Sequence, residues 1–353
     1  MNDRLDRIRG SLIGGAIGDA LGYAVEFDSY REIVKKYGKN GITDYKISKI
    51  SGKAAVSDDT QMTLFTAEGI LKAETQNLLN GTKNAPTACI WDAYKDWYAT
   101  QSNTKAKTNS WLYAREEMHK LRAPGTTCLN ALSQDKGGTT DAPINDSKGC
   151  GGIMRVAPLG LYYADELTAA RYAADAAALT HGHPMGYMSA AVMAYMVSAV
   201  VKREEGDGRS LAQTATEAAR AVSGLYANGY AAQLEDLVEK AIEFTNNDRS
   251  DEQNIRILGG GWVGEEALAV AVYCAVKYGD NFEKAMIAAV NHGGDSDSTG
   301  AIAGNILGAW LGYARIEEKW KGKLDIEDIL EEMASDLNEG CSEKAEWLKK
   351  YGK

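Results

Sequence analysis

Four glycines, Gly10, Gly14, Gly18 and Gly22, occupy every fourth position of a segment whose apolar residues Leu5, Ile8, Leu12, Ala16, Ile17 and Leu21 repeat at helical spacing. A glycine inside a helix costs about 1 kcal/mol relative to alanine, so four on one face need a compensating gain. Very close approach of a neighbouring helix is the simplest one. The same spacing returns at Gly300, Gly304, Gly308 and Gly312. The first helix and one of the last are therefore expected to pack closely, with packing on each other one way to do so, at the centre of an all-α domain.

The second glycine helix is preceded by His292-Gly293-Gly294-Asp295-Ser296-Asp297-Ser298-Thr299. A matching group, Ser57-Asp58-Asp59-Thr60, stands ahead of an apolar-periodic run through Met62, Leu64, Phe65, Ala67, Ile70 and Leu71. An acid or serine just before a helix is what an ordinary N-cap looks like, and either cluster alone reads that way. An N-cap needs one oxygen, however, and four carboxylates brought together would repel each other unless cations neutralised them. Oxygen ligands without nearby Cys or His pairs point to Mg²⁺, Mn²⁺ or Ca²⁺ and away from zinc.

Composition narrows the function classes. The net charge of −10 argues against a phosphate backbone as partner, so no nucleic-acid role is expected. Five cysteines without paired spacing suit a reducing compartment, and the N-terminus lacks the apolar region of a signal peptide; the cytoplasm is the expected location. The longest apolar run, Gly186 to Val201, is short for a bilayer and carries Ser189 and Ser198; it reads as a buried core helix, and no membrane role is expected. At 353 residues the chain is read as one domain over 1–353, with 325–353 a charged peripheral helical tail.

Further helices are expected near 87–99, 166–179, 185–202, 208–226, 231–246, 263–278 and 281–291, and strand signals are almost absent. Residues 28–56 read as irregular loop. Residues 122–152 form a long loop rich in Gly, Thr, Asp and Pro that runs into Gly149-Cys150-Gly151-Gly152-Ile153-Met154-Arg155, where glycines would let backbone N–H groups approach a ligand. Thr180-His181-Gly182-His183-Pro184 reads as a turn whose histidine reaches a polar ligand, and Gly259 to Gly264 as a flexible hinge bearing Trp262. Asp19, in apolar surroundings, suggests a structural hydrogen-bonding role, while Glu26 at the helix end is a candidate site residue.

Taken together these motifs resemble the ADP-ribosylglycohydrolase family. Six segments carry the resemblance in order: Gly14 to Gly22, Ser57 to Thr60, Gly149 to Pro158, Leu179 to Pro184, Gly261 to Ala267, and Gly293 to Ser298. It implies a compact, orthogonally packed all-α bundle with a binuclear cleft for two divalent cations, Mg²⁺ or Mn²⁺. Ser57, Asp58 and Asp59 match one set of metal ligands, and Asp295, Asp297 and Ser298 the other. Glu26 matches a glutamate that positions or gates substrate. Gly149, Cys150, Gly151, Gly152, Met154 and His181 match segments around the ADP-ribose diphosphate, with Trp262 beside them. Many relatives have Thr where Ser57 and Ser298 stand, and often Asn where Cys150 stands.

The resemblance implies a hydrolase acting on an ADP-ribosylated protein, releasing ADP-ribose from a modified side chain and working as a monomer. Asp58 or Asp59 would take the proton of the attacking water while oxocarbenium-like charge develops on the ribose. Arginine N-glycosides are the favoured linkage, from the turn at 180–184, with serine O-glycosides the other. Two alternatives stand beside this reading: a catalytically silent ADP-ribose-binding or structural relative, and a phosphoesterase acting on ADP-ribose-like nucleotides.

Overall fold

The computed structural model describes residues 3–352 except 103, 205 and 207; the outer bounds 1 and 353 of the expected domain lie outside the described residues. Sixteen α-helices are described, with no strand longer than an isolated bridge among the described residues. They are α1 (Asp3–Tyr23), α2 (Tyr30–Tyr37), α3 (Asp58–Asn80), α4 (Thr87–Gln101), α5 (Thr126–Leu132), α6 (Ala157–Tyr162), α7 (Glu166–Ala178) and α8 (Pro184–Val201). The second half contains α9 (Leu211–Leu225), α10 (Ala231–Glu243), α11 (Asp251–Leu258), α12 (Gly264–Lys277), α13 (Phe282–Val290), α14 (Ser296–Leu311), α15 (Glu327–Glu339) and α16 (Ala345–Tyr351). The all-α expectation holds.

The two glycine stripes face each other. Along the antiparallel pair α1 and α14, Gly10 meets Gly308, Gly14 meets Gly304 and Gly18 meets Gly300, while Gly22 lies on the backbone of Ser296 and Asp297. A Cβ added at any of these α1 glycines would fall less than 3.0 Å from a backbone atom of α14, closer than real Cβ atoms approach. The register is also pinned by polar contacts: Ser11 Oγ donates to the Asn305 carbonyl at 2.9 Å and Asn305 Nδ2 returns a bond to the Ser11 carbonyl at 2.9 Å. Arg7 donates to the last-turn carbonyls of Ala309 and Trp310, a cation at the negative end of α14.

Around this pair α12 and α13 flank α14, α15 lies on α1, and α3 packs with α4. Helix α8 is long and apolar enough to cross a membrane by length and composition, but 89% of it is buried inside the protein, as expected of a core helix. The 326–352 segment is two helices parted at Gly340 (φ 73), with Ile329, Leu330, Met333, Ala334, Leu337, Trp347 and Tyr351 turned into the core.

Two expectations need correction, and one helix was not expected. Residues 28–56 are not wholly irregular, because Ser29 and Glu32 form a capping box that starts α2. Likewise Ser250 and Gln253 cap α11, which the apolar pattern did not announce. Finally, Gly259 to Gly264 is not a loose hinge: Gly260 N–H donates to Glu266 at 2.9 Å and the Gly260 carbonyl accepts from Asp295 N–H at 2.8 Å, so the segment is tied from both sides.

Candidate active site

The seam between α1 and α14 ends at a cleft. Its antiparallel register brings the exit of α1, where Glu26 stands, beside the N-terminus of α14, where Asp295 and Asp297 stand. Asp19 then fixes the third element. Fully buried on α1, it accepts the backbone N–H of Ser57 at 2.8 Å and of Thr60 at 3.2 Å, and the Thr60 hydroxyl as well, so the start of α3 is latched to α1 through one carboxylate. The hydrogen-bonding role expected of Asp19 is what the structure shows.

The cleft, about 270 Å³, is lined by Glu26, Asp58, Asp59, Gly149, Cys150, Gly151, Met154, His181, Trp262, Asp295, Asp297 and Ser298. Two of the candidate residues do not line it. Ser57 is buried as the N-cap of α3, accepting the Asp59 N–H at 3.2 Å, and Gly152 faces Ala177 and His181. Residues that the motifs did not single out complete the wall: Ala123, Gly125, Thr126, Thr127 and Cys128, at the start of α5 inside the long loop. Gly125 N–H donates to Asp58 Oδ2 at 3.2 Å.

The two acid clusters touch across 239 positions of sequence, where Ser298 Oγ donates to Asp59 Oδ2 at 2.9 Å. Cys150 Sγ lies 2.7 Å from Asp295 Oδ2 and donates to it. The Cys150 loop is held by a short antiparallel bridge between Gly149 and Val263, with Cys150 N–H donating to the Trp262 carbonyl at 3.2 Å. That bridge places Trp262, 47% exposed, at the rim. Beneath the loop Gly151 leaves room for the His181 ring, since a Cβ there would fall 2.9 Å from its Cε1. His183 faces elsewhere, capping α8 through Met185 N–H and meeting Tyr230 edge-on.

His181 is held by a chain of bonds. Arg155, buried and lying 4.3 Å from the centre of the Tyr94 ring, donates to Thr180 Oγ1 at 2.6 Å, and that oxygen is 2.7 Å from His181 Nδ1. Thr180 Oγ1, which also accepts from Arg155, thus fixes the orientation of the His181 ring through Nδ1. Burial and the nearby Arg155 cation hold the ring's pKa down at about 3, so His181 is neutral.

The carboxylates are far from their ordinary state. Burial, then the charge of Asp297, raises Asp19 to about 7 and Glu26 to about 9. The same two causes push Asp58, Asp59 and Asp295 well above the usual carboxylate range. Like charges at close range with little water cannot all ionise. A cation would remove that conflict, and the donors suit one: Glu26, Asp295 and Asp297 offer oxygens within 4.8 Å of one another, and Glu26 Oε2 is buried with no hydrogen-bond partner. This set fits a hard divalent cation.

Comparison with known proteins agrees with the motifs. A model of the ADP-ribosylglycohydrolase family matches residues 1–346. The chain is 28% identical over 339 residues to an uncharacterized protein of Archaeoglobus fulgidus, covering 95% of this chain and 96% of that protein. It is 26% identical over 331 residues to the ADP-ribosyl-(dinitrogen reductase) glycohydrolase of Rhodospirillum rubrum, covering 91% of each. A solved structure titled "ADP-ribosylglycohydrolase-related protein complex" has the same fold, with a TM-score of 0.66 at 23% identity over 96% of this chain and 99% of that one.

Proposed function

The chain belongs to the ADP-ribosylglycohydrolase family, and from that premise we propose that it is a divalent-cation-dependent hydrolase that removes ADP-ribose from a modified arginine side chain of a protein. The family as a whole supports hydrolase activity on ADP-ribosylated substrates. The observation that carries the finer reading is the meeting of Asp58 and Asp59 with Asp295, Asp297 and Glu26 in one buried cleft, with ionisation suppressed for want of positive charge.

Two Mg²⁺ or Mn²⁺ ions held by Asp58, Asp59, Asp295, Asp297 and Ser298, with Ser57 supporting the start of α3, would supply charge that binds ribose hydroxyls and acidifies a water. Asp58 or Asp59 accepts the proton of the attacking water; each has one oxygen committed to a donor, Gly125 N–H or Ser298 Oγ–H, and one to spare. Glu26, at the mouth with an unpaired oxygen, orients the bond to be cleaved. The Gly149 to Gly151 loop, with the Gly151 backbone N–H as its donor, and the neutral His181 face the diphosphate, and the rim tryptophan, Trp262, offers its ring to an aromatic or apolar part of the substrate. Arginine is favoured because the Thr180-His181-Gly182-His183-Pro184 turn resembles that of the arginine-directed members of the family. Such an attack would place oxocarbenium-like charge on the ribose, next to the same acids.

Incubation with arginine-linked and serine-linked ADP-ribosyl peptides, with Mg²⁺ or with EDTA, and product identification by mass tests this. Free ADP-ribose from the arginine peptide in Mg²⁺ alone is the expected result. Cleavage that persists in EDTA, or release of AMP or phosphate in place of ADP-ribose, would refute it.

A further inference from the structure

Outside the cleft mouth lies a second cavity of about 450 Å³, and the two share Ala123 as a wall residue. It is formed by Tyr23 at the end of α1 with Ala24 and Phe27 just after it, and by Lys46, Ile47 and Ser48. The second group belongs to a small antiparallel turn in which Ile47 bridges Ala54, Ser48 N–H donates to the Lys53 carbonyl at 2.9 Å, and Gly52 N–H donates to the Ser48 carbonyl at 2.9 Å. Ala54 also bridges Leu324, which fixes the turn to the body of the protein.

Two features of this rim are unusual. Ile50 at the turn (100% exposed) and Phe27 (76%) are the two most exposed large apolar side chains among the described residues, and Ile47 (43%) lines the cavity with Phe27. Apolar groups gathered on a surface mark places where something binds. The charge is also reversed: residues 45–57 carry Lys46, Lys49 and Lys53 and no acid, in a chain of net charge −10. Lys53 is used by the fold, its Nζ donating to the Gly322 carbonyl, whereas no bond within the protein is made by the side chains of Phe27, Ile47 or Ile50.

We propose that Phe27 and the 46–53 turn form the docking surface for the polypeptide that carries the modified side chain, and that this surface selects a segment with an apolar residue beside acidic ones. The inference rests on the hydrolase reading above. A cleft of about 270 Å³ lies just below the range of small-molecule sites, about 300 to 1,000 Å³, so a sugar nucleotide takes up all of it. The chain bearing that sugar must then leave across the rim, and the second cavity adjoins the rim at Ala123. Three lysines with no acid among them attract an acidic segment that the net charge of the protein would otherwise repel.

Kinetics on the full-length protein with two substrates separate this from general effects on catalysis: free ADP-ribosyl-arginine, and an arginine-modified peptide flanked by Leu and Glu. Phe27→Ala and Lys46→Glu should each raise KM for the peptide about tenfold while leaving the free conjugate within about twofold of wild type. A peptide with Lys in place of Glu should be preferred by Lys46→Glu. Equal responses of the two substrates, or none, would overturn the docking surface. If the wild type cleaves neither substrate, the hydrolase reading fails by itself, and fluorescence anisotropy of the labelled modified peptide still decides docking. Binding tighter than that of the free conjugate and lost in both variants upholds it; equal binding overturns it.

Discussion

Helices α1 and α14 meet twice in two different ways. Along their glycines the contact is backbone on backbone, and the polar groups Arg7, Ser11 and Asn305 beside it each have a partner in the chain. One turn further on they meet through Glu26, Asp295 and Asp297, whose oxygens crowd together and whose ionisation is suppressed. The seam is complete as polypeptide. The cleft is not, and the difference separates what the sequence builds for stability from what it leaves for a ligand to finish.

The contrast can be broken most forcefully at the seam. Gly18→Val would drive a side chain into the Gly300 backbone, where neither helix can yield, and should cost about 3 kcal/mol or more in urea unfolding. In α9, Gly224→Ala should be neutral or stabilising by up to about 1 kcal/mol, because nothing lies within 4 Å of its Cβ position. A Gly18→Val protein as stable as wild type would show that the seam is not limited by backbone contact.

The next largest effect belongs to the cleft. Asp19 and Glu26 have folded-state pKa values of about 7 and about 9, above those of unfolded carboxyls, so the folded state holds the extra protons. Their contribution to stability is complete at low pH and is lost as pH rises through those values. The histidines act oppositely, and elsewhere on the scale: His181 at about 3 and His292 at about 4 lower stability only as pH falls below about 6.5, where the unfolded chain protonates first. Between about pH 6.5 and 9 the metal-free protein should therefore lose Tm steadily. Saturating Mg²⁺, at a hundred times its Kd, should restore roughly 2.7 kcal/mol, with a larger Tm shift at pH 8.5 than at pH 6.5. A shift independent of pH would show that the carboxylates are not where the cation binds.

The smallest effect sharpens the comparison by its sign. Asp297→Asn removes the charge that raises its neighbours, so the metal-free protein should gain roughly 1 kcal/mol while its Mg²⁺-dependent Tm shift disappears. Loss of stability in the metal-free variant would mean that the cleft, like the seam, is satisfied by its own hydrogen bonds.

The seam was legible because its signal is periodic: a glycine every fourth residue, repeated near both ends of the chain, specifies close helix contact before any partner is known. The acid clusters were legible because four carboxylates exceed what capping needs. Helices α2 and α11 were readable in principle from Ser29–Glu32 and Ser250–Gln253, but they are only eight residues long and the apolar period had little room to appear. Other parts left no local trace. Nothing near Gly125 announces that its N–H will reach Asp58, and nothing in the 46–53 turn announces that it will stand beside the cleft. Those placements follow from contacts between distant segments, such as Ala54 with Leu324. The 259–264 glycines suggested looseness because their partners, Glu266 and Asp295, belong to two different helices.

The seam also works as a rack with teeth. Equivalent glycines are four residues apart, about 6 Å of helix rise, and any intermediate offset would set Cβ-bearing residues such as Ala16 or Ile302 against carbonyl oxygens. A slip by a whole tooth would re-pair three of the glycines but break the reciprocal bonds of Ser11 and Asn305, so those two residues select the setting among the ones the teeth allow. That setting also gauges the distance from Glu26 to Asp297, so the spacing of the acids is machined into the main chain, with no side chain of the seam acting as a spacer.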